Sequence, residues 1–302
     1  PSQFLEKKEA AAPAAVAEKK QTKAVIEMLE KRAHVPKAPV FQPEDLKRHY
    51  LKNIDLSYIV PYVNEQMLLG HHLGLKGKVK KLLAEQHPKA LELKELIDEL
   101  LRDGKEHGWF DPAVVYQFFP AYSDGDSLHI LDPVNKDSIL ETFVFPRQEK
   151  LPYRCISDYV RPKGELDYVS FFAVTAGRHV RAAANRFKEE GDYLKSHAVQ
   201  ALALELAEGL AERTHQVIRD RWGFPDAPDF TMEQRFQAKY QGQRYSFGYP
   251  ACPNLEDQEK LFRLIQPEGI GVHLTDGFMM EPEASVSAIV VSHPEATYFN
   301  VH

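Results

Sequence analysis

The stretch from Arg244 to Pro253 combines the residue types that a rigid ligand-binding loop requires. It holds an arginine, a glycine, three aromatic residues and two prolines within ten residues. An arginine offers a planar fork of donors that matches a carboxylate, a glycine lets the backbone come close to a ligand, and prolines stiffen the loop. The sequence therefore predicts capture of the carboxylate of an amino-acid-like group. A surface turn with a solvated arginine is the alternative.

The patterns of several common catalytic sites are absent from the sequence. Gly74 and Gly77 lack the spacing and the following Ser or Thr of a phosphate loop, and the sequence contains no GxGxxG after a strand, no GxSxG and no HExxH. His71 and His72 are adjacent, with no cluster of Cys, Asp or Glu near them in the sequence. We therefore predict no catalytic residue and no metal site, and a role in binding and orienting a ligand.

Composition limits the class of protein. The chain has 302 residues with 43% hydrophobic residues and a net charge of −6, and it contains no long basic run in the part expected to fold. We expect no nucleic-acid partner, and no apolar stretch approaches the length of a membrane span. Cys155 and Cys252 form no CxxC motif, which favours reduced thiols and a cytoplasmic location. Because the chain begins with proline, we expect it to be a fragment or a processed piece of a longer protein.

The first 40 residues differ from the rest in composition. They are rich in Ala, Pro, Lys and Glu, a mixture that buries little apolar surface. We predict a flexible linker over residues 1–40 and one compact domain over residues 41–302. A remnant of expression or processing is the alternative for the first segment.

Hydrophobic periodicity predicts helices that alternate with a few strands. The predicted helices cover Lys76–Leu101 with a break at Pro88, Val180–Phe187, Tyr193–Arg221 and Met232–Tyr240, with helix starts also near Pro43 and at Asp111–Pro112. The predicted extended segments are Ser127–Leu131, Asp167–Val174, Ser285–Val291 and Tyr298–Val301. Strands that are few and far apart favour an α+β fold with an antiparallel sheet.

Several motifs in one order resemble a known family. The Arg-x-x-x-Gly-Tyr-Pro-Ala-Cys-Pro run is similar to the signature of the activation domain of cobalamin-dependent methionine synthase, which binds S-adenosylmethionine. Four further segments resemble the same family: Ile54-Asp55 with Pro61; Phe119-Pro120-Ala121 with Gly125-Asp126; Asp158-Tyr159-Val160 through Asp167-Tyr168 to Phe172-Ala173-Val174-Thr175; and Ala284-Ser285-Val286-Ser287 with Ser292-His293-Pro294. The resemblance covers roughly residues 41–301 and implies a single domain with a twisted antiparallel sheet surrounded by helices.

The resemblance also implies ligand residues. Arg244 would bind the methionyl carboxylate, with a surface ion pair as its alternative role. Ser246, Gly248 and Tyr249 would follow it in the binding loop. A small residue is retained at Ser246, where relatives often carry alanine, and Tyr249 could instead be a packed core aromatic. An arginine reserved for a ligand is expected to leave the stability of the fold almost unchanged when it is removed.

Other implied contacts lie elsewhere in the chain. Asp55 would accept hydrogen bonds from the ammonium or the sugar hydroxyls, although Leu56 replaces a tryptophan of the family and a helix cap or turn is the alternative role. Tyr298 and Phe299 match a tyrosine pair, with one hydroxyl lost at Phe299. Glu208 matches a family glutamate that could support the site or contact the corrin domain, or it could be a surface charge.

The function implied by the resemblance is reactivation of methionine synthase, a methyltransferase of methionine biosynthesis. This chain would present the methyl group of S-adenosylmethionine to reduced cobalamin on a neighbouring domain, because it lacks the Asp-x-His-x-x-Gly run that supplies the family's cobalt ligand. A flavodoxin-like or other reductase would supply the electron. The alternatives are a stand-alone accessory protein that supports reduction or assembly of a corrinoid protein without methyl transfer, and a methyltransferase acting on a small molecule.

Overall fold

The computed structural model describes residues 35–302, so most of the predicted linker lies outside the described residues. Residues 35–40 contact the rest of the domain. The carbonyl oxygen of Pro36 accepts a hydrogen bond from Nε2 of His293 at 2.9 Å, and Lys37 pairs with Glu165 at 2.9 Å. The division of the chain at residue 40 stays a prediction.

An antiparallel sheet forms the centre of the described chain. Its strands follow the order β4-β3-β2-β5-β9-β6, with β1 also paired to β2, while β7 and β8 form a separate pair. The strands are β1 (His49–Leu51), β2 (Ala113–Asp124), β3 (Ser127–Leu131), β4 (Ile139–Val144), β5 (Asp167–Thr175), β6 (Gln243–Tyr245), β7 (His273–Leu274), β8 (Met280–Glu281) and β9 (Ser285–Val291). The predicted α+β fold with an antiparallel sheet is confirmed.

Helices pack around this sheet. They are α1 (Val79–Ala84), α2 (Pro88–Glu106), α3 (Val180–Glu189), α4 (Tyr193–Trp222), α5 (Met232–Phe236) and α6 (Gln258–Ile265), with a π-helix over Gln66–His72. The predicted break at Pro88 is confirmed, since proline needs no amide partner in the first turn of α2. The predicted long helix α4 is also confirmed. It begins after Asp192, whose carboxylate accepts a hydrogen bond from the amide of Lys195 at 3.0 Å.

The pleat of the strands divides the core into two apolar layers. Along β5, Phe172 and Val174 pack with helix α4 on one face, whereas Phe171 and Ala173 pack with helix α6 on the other. Successive side chains of a strand point to opposite faces. Because all nine residues of β5 are buried, this strand reads as a continuous apolar run and lies in the middle of the sheet.

Two predicted helix starts are wrong. The segment near Pro43 is not helical; its backbone binds the end of α4, where Trp222 donates to the carbonyl of Phe41 at 3.1 Å and the amide of Glu44 donates to Arg221 at 2.9 Å. Asp111 has a φ of +43° and precedes a proline, so the chain turns directly into β2. In both places contacts and turn geometry outweigh local helical patterning.

Candidate functional site

Strand β6 sets the direction of the Arg244 side chain. It pairs with β9 at the edge of the sheet, with Arg244 opposite Val290 and Tyr245 opposite Ile289. Val290 belongs to the layer that packs on α4, and Ile289 belongs to the opposite layer. Because paired residues share a face, Arg244 points toward α4 while Tyr245 is buried behind the sheet.

The guanidinium of Arg244 is anchored through one nitrogen. Nη1 donates to Oε2 of Glu212 at 3.0 Å, to the hydroxyl of Tyr240 at 3.1 Å and to Nδ1 of His215 at 3.2 Å. No hydrogen bond among residues 35–302 uses Nε or Nη2 of Arg244, and the side chain is 20% exposed. The Nε–Nη2 edge is therefore available for a bidentate contact with a carboxylate.

A cavity of about 480 Å³ lies beside this arginine. Glu205, Glu208 and Glu212 contribute to its wall from one face of α4, because residues three and four apart are neighbours on a helix. The other lining residues are Tyr62, Asn64, Met67, His71, His72, Leu204, Phe236, Arg244 and Tyr249. Three carboxylates and one arginine make this cavity suited to a ligand with both a carboxylate and positive charge.

The pKa values of two of these carboxylates are raised, because the cavity wall shields them from water. Burial raises the pKa of Glu205, against a hydrogen bond to Nε2 of His72 at 3.0 Å that lowers it. Glu208 is exposed by its accessible area, yet desolvation by its surroundings raises its pKa, and the positive charge of Arg244 opposes that rise. Glu208 has no hydrogen-bonding or ionic partner within residues 35–302, so it is free to meet a cation.

The backbone of the loop after β6 is held in a tight turn. The amide of Gly248 donates to the carbonyl of Cys252, and the amide of Cys252 donates to Tyr249, both at 3.0 Å. Gly248 has a φ of +85°, and a Cβ there would lie 2.9 Å from the side chain of Leu255. This turn presents Tyr249, which is 56% exposed, to the cavity.

Cys252 stabilises the same loop through a buried hydrogen bond. Its thiol donates to the carbonyl oxygen of Ser246 at 3.0 Å, and the residue is buried. Burial raises the pKa of the Cys252 thiol to about 12. Ser246 thus contributes its backbone to the loop, and neither Ser246 nor Gly248 is among the residues that line the cavity.

Tyr298 and Phe299 lie against Tyr245. The rings of Tyr298 and Tyr245 stack with centroids 6.2 Å apart, and Phe299 meets Tyr245 at a steep angle, with centroids 6.0 Å apart. Phe299 is 5% exposed and belongs to the apolar layer behind the sheet. A hydroxyl at position 299 would be buried there, which explains why phenylalanine is suitable. Neither residue lines the cavity beside Arg244.

Asp55 lies at a different place. It caps a 3₁₀ turn, with Oδ1 accepting from the amide of Ser57 and Oδ2 from Nζ of Lys105, both at 2.9 Å. The hydrogen bond from Lys105 is the main reason that the pKa of Asp55 is lowered. Asp55 lines a cavity of about 590 Å³ that shares no lining residue with the cavity beside Arg244. The capping role that the sequence offered as its alternative is therefore present.

Both cavities are lined by residues of α4 and of the segment Tyr58–Tyr62. Arg213 lies over the ring of Tyr58 at 5.3 Å and over the ring of Tyr62 at 5.7 Å. Tyr58 lines the Asp55 cavity and Tyr62 lines the Arg244 cavity. A Cβ on Gly209 would lie 3.2 Å from backbone atoms of Tyr62, so this glycine lets the wall that separates the cavities come close to α4.

Sequence reasoning missed the residues that hold Arg244. Glu212 and His215 lie four and seven residues after Glu208 on α4, and Tyr240 follows α5. The polar positions 205, 208, 212 and 215 repeat with helical spacing along one face of α4, which was the available signal.

Acidification is expected to destabilise the wild-type chain more than a His215→Asn variant. Burial lowers the pKa of His215 well below its ordinary value, and the charges of Arg219 and Arg244 lower it further. An unfolded histidine takes up a proton near pH 6.5, so below that pH the unfolded state binds more protons. The free energy of unfolding then falls by up to about 1.4 kcal/mol per pH unit.

The measurement is urea unfolding of both proteins between pH 7 and pH 5.5. Asparagine keeps an acceptor oxygen but does not titrate, so we expect a difference of about 1 kcal/mol at pH 5.5. The raised pKa values of Glu205 and Glu208 change stability in the opposite direction, but they do so in both proteins. Equal pH dependence of the two proteins would contradict a neutral, buried His215.

Comparisons with known proteins agree with one another. The family model described as "Vitamin B12 dependent methionine synthase, activation domain" matches residues 55–302. The methionine synthases of Mycobacterium tuberculosis and Mycobacterium leprae are 37% and 36% identical over 203 residues, which is 63% of this chain. The chain spans only 17% of the length of these two relatives.

A solved structure shares the fold. The MetH reactivation domain crystallised with AdoHcy has a TM-score of 0.80 and 29% sequence identity, and the match covers 89% of this chain and 84% of that domain. Within residues 35–302 no helix has the length and apolar character that a bilayer span requires. In the same described range, no three His, Cys, Asp or Glu side chains come together as metal ligands.

Proposed function

The chain belongs to the family of vitamin B12-dependent methionine synthase activation domains, and we propose that it binds S-adenosylmethionine beside Arg244 and presents the methyl group to a corrin cofactor on a neighbouring domain. One observation carries the proposal: Arg244 lines a cavity walled by three glutamates, and its Nε and Nη2 make no hydrogen bond within residues 35–302. The related reactivation domain was solved with S-adenosylhomocysteine (AdoHcy) bound, which supports this choice of ligand.

The residues present fit the chemical groups of this ligand. The carboxylate would pair with the free edge of Arg244. Its ammonium and sulfonium charges would be stabilised by Glu208 and Glu205, and the exposed ring of Tyr249 offers a further attractive face for a cation. Asp55, Ser246, Gly248, Tyr298 and Phe299 remain proposed ligand residues, with Asp55 reaching the ligand only if it extends beyond the Arg244 cavity.

The proposed role requires no acid, base or nucleophile from this chain. The sulfonium supplies an activated methyl group when it is bound, and the chain's residues bind it, orient it and exclude water. One electron from a flavodoxin-like or other reductase would reduce cob(II)alamin, and methyl transfer would then yield methylcobalamin and AdoHcy. The chain is similar to one domain of a methyltransferase; the cytoplasmic location, the reductase and the neighbouring corrin domain are part of the proposal.

Two other functions remain as alternatives with distinct outcomes. An accessory protein would dock on a corrinoid protein without binding the methyl donor. A small-molecule methyltransferase would bind the donor and turn over without any corrin domain. Calorimetric titration of the chain with AdoHcy and S-adenosylmethionine tests the proposal, and the absence of heat at millimolar ligand would contradict it.

A Glu208→Gln variant is expected to distinguish the two ligands. S-adenosylmethionine carries the sulfonium charge and AdoHcy does not. Loss of one partly exposed carboxylate should therefore weaken S-adenosylmethionine roughly two- to fivefold and change AdoHcy binding less. The titrations are made at pH 8 because the pKa of Glu208 is raised and a higher pH favours its ionised form. Glu189→Gln, at an exposed position of α3, is the matched control. An equal loss for both ligands would contradict a role for Glu208 near the sulfonium.

A further inference from the structure

Three side chains from two parts of the fold converge on Nη1 of Arg244. Glu212 and His215 come from α4, and Tyr240 comes from the segment after α5. All three contact the same nitrogen at 3.0 to 3.2 Å. A guanidinium held at one corner keeps its plane and its opposite edge in a fixed direction, because the group is rigid and planar.

The contact with His215 defines the protonation of that ring. A guanidinium has only donors, so Nδ1 of His215 must accept from Arg244 and carries no proton. The ring is therefore neutral, with its hydrogen on Nε2. Burial and the charges of Arg219 and Arg244 keep the pKa of His215 low, which agrees with this assignment. The groups that face the ring are Arg244, Arg219 and the edge-on ring of Tyr240.

A buried ion pair supports Tyr240 from behind. The guanidinium of Arg219 lies 4.0 Å from the centre of the Tyr240 ring. Arg219 is fully buried and binds Asp226 through two hydrogen bonds of 2.8 and 2.7 Å. Arg235 also contacts Asp226 at 3.2 Å. The ring of Tyr240 thus packs against a second set of charged groups, none of which lines the cavity beside Arg244.

The cluster is not arranged for hydrogen bonding alone. Oε1 of Glu212, Nε2 of His215 and Nη1 of Arg219 are buried and have no partner within the described chain. Unpaired buried polar atoms oppose folding, and native proteins keep few of them. The hydrogen bonds of this cluster are thus directed at Nη1 of Arg244 and do not pair every polar atom.

We propose that Glu212 and His215 are positioning residues, assisted by Tyr240, which hold Arg244 so that its Nε–Nη2 edge meets the carboxylate of the S-adenosyl ligand. This inference rests on the proposed function. The Arg244 side chain loses its conformational entropy when the chain folds, so less side-chain entropy is lost on ligand binding. The opposing effect is charge: Glu212 reduces the net positive charge that the ligand carboxylate meets.

These two effects predict opposite results for a Glu212→Gln variant. If positioning dominates, AdoHcy binds about tenfold more weakly, because the neutral amide holds Nη1 less firmly. If the charge of Glu212 dominates, AdoHcy binds more tightly. Tyr240→Phe removes only one hydroxyl and should lower the affinity for AdoHcy about threefold. It provides a second test if the Glu212→Gln variant folds poorly.

The experiment compares two ligands by calorimetry with the 302-residue chain. AdoHcy carries the carboxylate, whereas 5′-methylthioadenosine keeps the nucleoside and sulfur but lacks the amino-acid part. If the positioning role is correct, Glu212→Gln and Tyr240→Phe lower the affinity for AdoHcy and change the affinity for methylthioadenosine by less than twofold. In an Arg244→Ala background, Glu212→Gln should cause no further loss. Glu189→Gln serves as the control in all titrations.

The outcomes separate the inference from the function on which it rests. Three outcomes would overturn the positioning role alone, provided that the wild type binds AdoHcy. They are equal losses of affinity for both ligands, unchanged or tighter AdoHcy binding by Glu212→Gln, and additive losses in the double variant. Failure of the wild type to bind AdoHcy would overturn the proposed function, and the positioning role with it.

Discussion

Replacing Arg244 with alanine is expected to weaken AdoHcy binding about tenfold to a hundredfold and also to destabilise the fold. A hydrogen bond to a charged group contributes roughly 1.5 to 3 kcal/mol, and each ~1.4 kcal/mol is a factor of ten in affinity. The stability effect arises because Glu212, whose side chain is 8% exposed, would lose the partner of its carboxylate. Removing one partner of a fully buried ion pair costs about 3 to 5 kcal/mol, and the partial exposure of Arg244 places this case at or below ~3 kcal/mol.

Arg221→Ala is the matched control for this prediction. Arg221 forms an ion pair of 2.6 Å with Glu44, but both side chains are more than half exposed. We expect its removal to cost at most about 1 kcal/mol and to leave AdoHcy binding unchanged. Calorimetry and urea unfolding on the two variants measure both quantities. Unchanged affinity in Arg244→Ala would reduce this arginine to a structural role, and unchanged stability would contradict the importance of its pair with Glu212.

The second large effect is expected on reconstitution. The chain alone should show no methyl transfer, because in the proposed function the attacking atom is the cobalt held by a separate domain. Mixed in excess with a corrin-loaded partner domain, S-adenosylmethionine and a chemical reductant, it should convert cob(II)alamin to methylcobalamin in the visible spectrum. Separate pieces lack the high effective concentration of linked domains, so high concentrations are required.

Three controls make the reconstitution decisive. Omitting the chain should abolish conversion, and omitting the reductant should do the same. An Arg244→Ala, Tyr249→Phe double variant should convert much more slowly at limiting donor. Conversion at the wild-type rate by this variant, or no conversion at high concentrations of every component, would count against the proposed mechanism.

The elements that the sequence predicted are those with long and regular patterns. The predicted strand Ser285–Val291 coincides with β9, and the predicted helix Tyr193–Arg221 matches α4, which extends one residue further to Trp222. Strand β4 over Ile139–Val144 was missed because it lies at the sheet edge, where Ile139, Leu140 and Val144 are exposed and no alternation is visible. The predicted helix to Tyr240 ends at Phe236, and Ala238 adopts a φ of +51°.

The candidate site was only partly predictable for a related reason. Arg244 on β6 and Tyr249 in the turn after it are only five residues apart, so a local motif found both. Glu205 and Glu212 line the same cavity from more than thirty residues away on α4, and the local pattern after β6 contains no information about them. Glu208 was found only through the family resemblance. The two predictions for the stability of Arg244→Ala differ for this reason. The sequence predicted almost no change, whereas the ion pair with Glu212 predicts a loss.

The burial of Cys252 has a consequence for the chemical survival of the protein. A sulfonium methyl group reacts with soft nucleophiles, and a thiolate is the strongest that a protein side chain can offer. Cys252 lies in the same loop as Tyr249, so an ionised sulfur there would compete with the corrin for the methyl group. Burial raises the pKa of this thiol to about 12, and its hydrogen is directed to the carbonyl of Ser246. With S-adenosylmethionine bound as proposed, the protonated and buried Cys252 would be protected from methylation.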